Sequence, residues 1–296
     1  MRGISEILPP DALARLANLG LIARWVVEGF ISGLHASPYH GFSVEFAEYR
    51  AYAPGDDLRH LDWKALAKSD RTYVKKYHSE TNTRVHLLVD ASASMGFGAP
   101  VTKFRYAQAL AAALAYLMIL QQDAAGVVLF ADRILRVLKP KATMQHFRDI
   151  AAALDALAPQ STTDCSQAFH RVAETVKARG LVVVLSDLYD DPERIRLGLR
   201  HLRFRKHEVL LFHILDHREI AFPYGALSEF RDLETNERIQ VHPVAHRPAY
   251  TKALSAFCDG LRRDCSNMQV DYQVVDTSVS FDRVLARYLA RRKRLG

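Results

Sequence analysis

The sequence predicts an α/β protein with a doubly wound, mainly parallel sheet, an N-terminal extension and an inserted β-hairpin. Strand-like apolar runs, rich in aliphatic and β-branched residues, recur at Val85–Val89, Leu181–Leu185 and Glu208–Leu215. Helical patterns separate them, and strands alternating with helices put helices on both faces of a parallel sheet. Two of the runs deliver carboxylates, Asp90 and Asp187, into loops at a strand's carboxyl end, where open α/β sheets bind ligands. With 296 residues, 49% hydrophobic and 25% charged, the chain can bury one large core or a core with attachments.

In chain order, residues 11–34 form an apolar-rich helical stretch, and 39–82 carry short strands, the last near Tyr73–Tyr77. After the strand ending at Asp90 come a helix over 103–121, strands near Gly126–Phe130 and Ile134–Val137, and helices near Thr143–Leu157 and Ser166–Arg179. The strand at 181–185, a helix over Pro192–Leu202 and the strand Glu208–Leu215 continue the alternation. Between Ala221 and Val244 the rhythm breaks. Phe230 to Val241 reads as two short strands about a Glu234-Thr235-Asn236 turn, hence a β-hairpin. A helix over Ala249–Cys265, a strand over Gln269–Val275 and a helix over Ser280–Arg294 complete the chain. Residues 1–82 form the extension and 83–296 the α/β domain, with the hairpin insertion near 221–244.

Residues 85–98 carry the most chemistry. The apolar run delivers Asp90, Ser92 and Ser94 into a glycine-punctuated loop, and alternating positions on a tight turn present hard oxygens from one side. Such donors suit a magnesium-like cation, which prefers oxygen ligands and keeps several waters. A polar turn, Ser161-Thr162-Thr163-Asp164, adds a third hydroxyl from Thr163 or Thr162, while Asp164 or Ser166 caps the next helix. Asp187 completes the set. Serine and aspartate are also ordinary turn residues, and helix capping by Ser94 is the plainer alternative.

On these residues the chain resembles the von Willebrand factor A-like domains. Their metal-ion-dependent adhesion site combines Asp-x-Ser-x-Ser, a threonine and a distal aspartate. The resemblance implies that Asp90, Ser92, Ser94, Thr163 and Asp187 hold Mg2+ (or Mn2+ or Ca2+), with one position left for a partner's carboxylate. The run from Thr163 to Phe169 is similar to the family's Thr-Asn/Asp-x-x-x-Ala-Leu, but Ser161-Thr162 replaces the usual glycine pair.

The segment upstream narrows the resemblance. Gly41-Phe42-Ser43-Val44-Glu45-Phe46, then Arg50 to Trp63 with its Pro54-Gly55-Asp56-Asp57 turn, looks like the signature of the bacterial domain of unknown function 58 family. That family is associated with MoxR-type AAA+ ATPases, so the resemblance implies such an ATPase as co-worker in chaperone-like maturation or assembly. It also implies a protein client that offers an acidic residue. Within the signature, Glu45, Arg50, Arg59, Asp62 and Trp63 are the types that build an Arg–carboxylate network fastening the segment to the domain.

Other classes find less support. No Gly-x-x-x-x-Gly-Lys-Ser/Thr loop, Gly-x-Ser-x-Gly elbow or His-Glu-x-x-His pair occurs, and the 13 histidines are scattered, His170 on a helix as a packed or solvated residue. A phosphoaspartyl-type hydrolase needs a second aspartate two positions after the first, and Ser92 stands there. We therefore expect no enzyme. A metal-dependent phosphohydrolase and a scaffold with a vestigial metal site are the alternatives. The longest apolar stretch, Ala109–Leu120, is twelve residues, short of the roughly 20 that span a bilayer. The amino terminus lacks a signal-peptide pattern, and the three cysteines show no paired-ligand spacing, so a cytoplasmic protein without a membrane span is expected. The net charge of +7 resides largely in Arg194–Lys206 and the last helix, as solvated faces with few aromatics to make a nucleic-acid platform.

Overall fold

A computed structural model describes residues 18–35, 49–51, 73–75, 83–176, 178–280 and 283–285. In chain order the elements are α1 (Leu19–His35), β1 (Tyr49–Ala51), β2 (Tyr73–Lys75), β3 (Arg84–Asp90), a 3-10 turn (Ala93–Gly96), α2 (Lys103–Leu120), β4 (Ala124–Phe130), β5 (Ile134–Lys141), α3 (Met144–Asp155) and α4 (Cys165–Thr175). Then follow β6 (Leu181–Ser186), α5 (Pro192–Phe204), β7 (Glu208–Leu215), α6 (His217–Ala221), β8 (Ser228–Arg231), β9 (Arg238–Val241), α7 (Pro243–Asn267) and β10 (Asp271–Asp276). Most of the Gly41–Trp63 signature, Arg59 and Asp62 included, lies outside the described residues, as do the start of the expected 11–34 helix and most of the 280–294 helix.

Six strands form one sheet in the order β10-β7-β6-β3-β4-β5, parallel except where β5 runs antiparallel to β4. Successive side chains of a strand point to opposite faces, so each strand feeds two cores. Val85, Leu87 and Val89 of β3 join Val127 and Leu129 of β4 and Val183 and Leu185 of β6 in the layer shared with α1, α2 and α3. Leu88, Val182 and Val184 enter the opposite layer, filled by α4, α5 and α7. This is the doubly wound, mainly parallel sheet that the alternation predicts, with the β8–β9 hairpin as a separate two-stranded unit.

The alanine-rich middle of α2 is buried on nearly all sides, because the sheet lies under it and α1 and α3 flank it. A helix apolar all round belongs in such a position. No helix among the described residues is long and apolar enough to cross a membrane. From α1, Leu19, Ile22, Ala23, Val26 and Val27 enter the same core, and the Tyr116 hydroxyl of α2 donates to Glu28 at 3.1 Å.

Boundaries differ from expectation for local reasons. Strand β5 runs on to Lys141 through Pro140, which an edge strand tolerates because no further strand needs its N–H. Helix α7 starts six residues before the expected Ala249, with Pro243 in its first turn and Pro248 carried inside. The bond that Pro248 cannot make belongs to the first turns of the helix, where Val244 is solvent-exposed. The short α6 was not anticipated, although Asp216-x-x-Glu219 is a capping-box pattern and both of its bonds form.

Candidate metal centre

Strand β3 ends at Asp90, which is fully buried and sets the turn that follows. Its Oδ1 accepts the Ser92 N–H at 2.9 Å, folding the chain back over the strand end. Its Oδ2 accepts the Ser186 hydroxyl at 2.6 Å from the end of the neighbouring strand β6. Ser92 stands before the 3-10 turn without using its side chain as a cap. The cap of α2 is Thr102, which accepts from Arg105 N at 3.1 Å, so capping by Ser94 does not occur. The two serine hydroxyls instead lie 3.1 Å apart.

Neighbouring loops hold this turn from both sides. Ala93 N donates to Ser161 O at 2.9 Å and Gln160 N to Ala91 O at 2.8 Å, pressing the second loop against the first. Downstream, Gly98 has φ +119°, and a Cβ there would lie 2.7 Å from both Asp216 Oδ2 and Val101 O. Only glycine fits, because the conformation and the space both exclude a side chain.

Asp187, the first residue beyond β6, is buried against the opening of α2. Lys103 Nζ donates to its Oδ2 at 2.7 Å and to Glu219 Oε1 at 2.8 Å, and Tyr189 N donates to Asp187 Oδ1 at 3.3 Å. The Ser94 hydroxyl is among the groups that favour the charged form of Asp187. Asp90, Ser92, Ser94 and Asp187 thus make one continuous polar patch across the ends of β3 and β6. Thr163 reaches it through its loop, but its own hydroxyl donates to Glu234 Oε1 at 3.0 Å and its N–H to Glu234 Oε2 at 3.2 Å. Thr162 is exposed while Thr163 is half-buried. Asp164 rather than Ser166 caps α4, accepting from Gln167 N at 2.8 Å.

Burial and then repulsion from Asp187 push the Asp90 carboxyl above the ordinary range, against the bonds from Ser186 and Ser92. Burial also opposes the charge on Asp187, but Lys103 outweighs it and holds that carboxyl below its usual value. Lys103 itself is held above its ordinary value: burial works against its charge, and Asp187 and Glu219 together prevail. At Glu219 burial wins and the carboxyl is raised. The Cys165 thiol beside Asp90 is pushed up by burial, which disfavours its thiolate.

Four residues of this neighbourhood escaped the sequence reading in these roles. Lys103 carried the clearest signal: a cation in the first turn of a helix faces the positive end of the helix dipole and needs compensating carboxylates. Ser186 and Glu219 are readable only with Asp90 and Lys103 in place, and Glu234 only as the acidic tip of a turn.

The donor set fits a hard divalent cation. Ser92 Oγ and Ser94 Oγ, 3.1 Å apart, match the edge of an octahedron of oxygens at magnesium distances, about 3 Å. Asp90 and Asp187 bring charge, although Lys103 already satisfies part of Asp187's. Among the described residues no group of three or more His, Cys, Asp or Glu gathers as a metal cage, so hydroxyls must make up the donors here.

Sheet order, two-sided helical cover and an Asp-x-Ser-x-Ser loop at the carboxyl end of β3 define a von Willebrand factor A-like α/β domain. The chain belongs to the family described as protein of unknown function DUF58, whose model matches residues 48–256. It is similar to the uncharacterized proteins Rv1480 of Mycobacterium tuberculosis and Mb1516 of Mycobacterium bovis. Each is 26% identical over 98% of this chain and 92% of the relative. Among solved structures it is similar to the conserved hypothetical protein BatB from Bacteroides thetaiotaomicron, with a TM-score of 0.50 at 15% identity over 72% of this chain and 99% of that one. It is also similar to the SpRpn10 VWA domain, with a TM-score of 0.42 at 13% identity over 69% and 94% of the two chains.

Proposed function

We propose that this chain is a protein-binding module that captures an acidic segment of a client through a divalent cation, Mg2+ or else Mn2+ or Ca2+. The observation that carries this reading is the pair of hydroxyls on Ser92 and Ser94, 3.1 Å apart between two buried carboxylates and free of capping duty. Asp90, Ser92, Ser94 and Thr163 would hold the cation and Asp187 would balance its charge. Bound there, the cation supplies a positive centre for a partner's Asp or Glu. The chain's own groups keep the donors in place: Ser186 and the Ser92 N–H orient Asp90, and Lys103 and the Tyr189 N–H orient Asp187.

A MoxR-type AAA+ ATPase as co-worker is what the resemblance of the signature segment implies. We infer that the chain serves such an ATPase in the cytoplasm, in chaperone-like maturation or assembly, without catalysing a reaction itself. Calorimetric titration with Mg2+ and Mn2+ tests the site. Wild type should give saturable heat, Asp90→Ala none, and Ser92→Ala a weakened isotherm with the fold intact. Co-purification with a MoxR-type ATPase in Mg2+ but not in EDTA tests the partnership. Traces for wild type and Asp90→Ala that match, without saturation, would remove the cation reading.

A further inference from the structure

Glu234 sits at the tip of the β8–β9 hairpin, a unit outside the main sheet whose turn is built to hold it. Arg231 and Arg238 close the ladder, and Asp232 Oδ1 accepts the N–H groups of Glu234 at 2.7 Å and Thr235 at 3.1 Å. Asn236, at φ +63°, donates its N–H to Asp232 O at 3.0 Å. The turn is thereby fixed with Glu234 aimed back at the main domain. Among the described residues no Lys, Arg or His pairs with Glu234, because Arg231 bonds to Asn236 and Arg238 to Glu229. Its two oxygens instead take the N–H and hydroxyl of Thr163.

A carboxylate with no cationic partner among the described residues is thus placed against the loop that bonds to Ala91 and Ala93, next to Asp90. Tyr189, beside the same loops, feels Asp232, Glu234 and Asp187 together. The Thr163 Oγ1 to Glu234 Oε1 distance is 3.0 Å. That is again the edge of an octahedron of oxygens about magnesium, about 3 Å. Lys103 compensates Asp187, whereas Glu234 has no Lys, Arg or His partner among the described residues and keeps its charge for a positive ion.

We propose that Glu234 is the site's own carboxylate: it fills in cis the position that a partner's acidic side chain takes, so that capture of a partner requires the hairpin to lift. This rests on the cation reading above and adds to it a ligand and a latch. Any partner must then present a carboxylate on a projecting turn able to compete with one already tethered to the chain, whose effective concentration is high.

Mn2+ titration of the full chain, followed by water-proton relaxation, separates the outcomes. Wild type should bind Mn2+ with few exchangeable waters, and Glu234→Gln should bind about tenfold more weakly with one more water on the ion. Glu234→Asp, which keeps the charge but shortens the reach, should fall between them. Amide exchange at 232–237 should quicken in Glu234→Gln relative to the sheet. If wild type saturates and Glu234→Gln matches it in affinity and relaxation, Glu234 is no ligand, and the cation site stands without it. A wild type that shows no saturable Mn2+ signal overturns the ligand and the cation reading together.

Discussion

Lys103 Nζ lies 2.7 Å from Asp187 Oδ2, with both side chains almost wholly buried, so the site carries a cation of its own. The ammonium also holds Glu219 at 2.8 Å and lies 5.8 Å from the Phe97 ring centroid. This internal charge lets two buried carboxylates persist at the carboxyl end of the sheet before any ion arrives. Its presence also bounds the attraction for a divalent ion, because Asp187 is already compensated.

Replacing Lys103 by methionine keeps the bulk and removes the charge. Asp187 and Glu219 then lose their partner, and breaking a buried pair in this way costs about 3–5 kcal/mol. Lys103→Met should unfold at lower urea than wild type in EDTA, and Mg2+ should restore more stability to the variant than to wild type. Equal Mg2+ responses in the two proteins would show that Lys103 does not share the site's electrostatics with the ion.

The sheet was legible because its signals are local. Aliphatic runs of strand length, helical spacing and turn residues occur within short windows, and Val85–Val89 with Leu181–Leu185 became neighbouring strands β3 and β6. The loop residues Asp90, Ser92, Ser94 and Asp187 were legible because strand ends in a parallel sheet share one edge. Lys103, Glu219 and Glu234 were not, since each acquires its role from partners 71 to 116 residues away. The hairpin could be read from its turn, but the point at which its tip lands cannot be read from spacing alone.

His213 on β7 gives the protein a pH dependence of definite sign. It is fully buried, with Nδ1 2.7 Å from the Tyr272 hydroxyl, and burial lowers its pKa from 6.5 to about 4. Above pH 6.5 the ring is neutral in both folded and unfolded chains, and its contribution is constant. As pH falls from 6.5 towards 4, the unfolded chain takes up a proton that the folded one refuses, so stability falls. The loss is about 3 kcal/mol when complete. Asp90, whose carboxyl is raised, acts in the opposite direction, so the informative quantity is a difference between variants. His213→Gln in EDTA should lose less stability than wild type between these pH values, measured by urea unfolding. Parallel pH profiles would mean that His213 is protonated in the folded protein at its ordinary pKa.

We expect no phosphoryl chemistry at Asp90. Its Oδ1 is held by the Ser92 N–H and its Oδ2 by the Ser186 hydroxyl, each oxygen keeping a lone pair for a cation. Two positions on, where a second acid would protonate the leaving group, the hydroxyl of Ser92 faces Ser94 instead. Purified chain with Mg2+ should therefore hydrolyse neither p-nitrophenyl phosphate nor ATP above background. Turnover that persists through purification and disappears in Asp90→Asn would make the site a phosphohydrolase, with Asp90 released from Ser186 as its nucleophile.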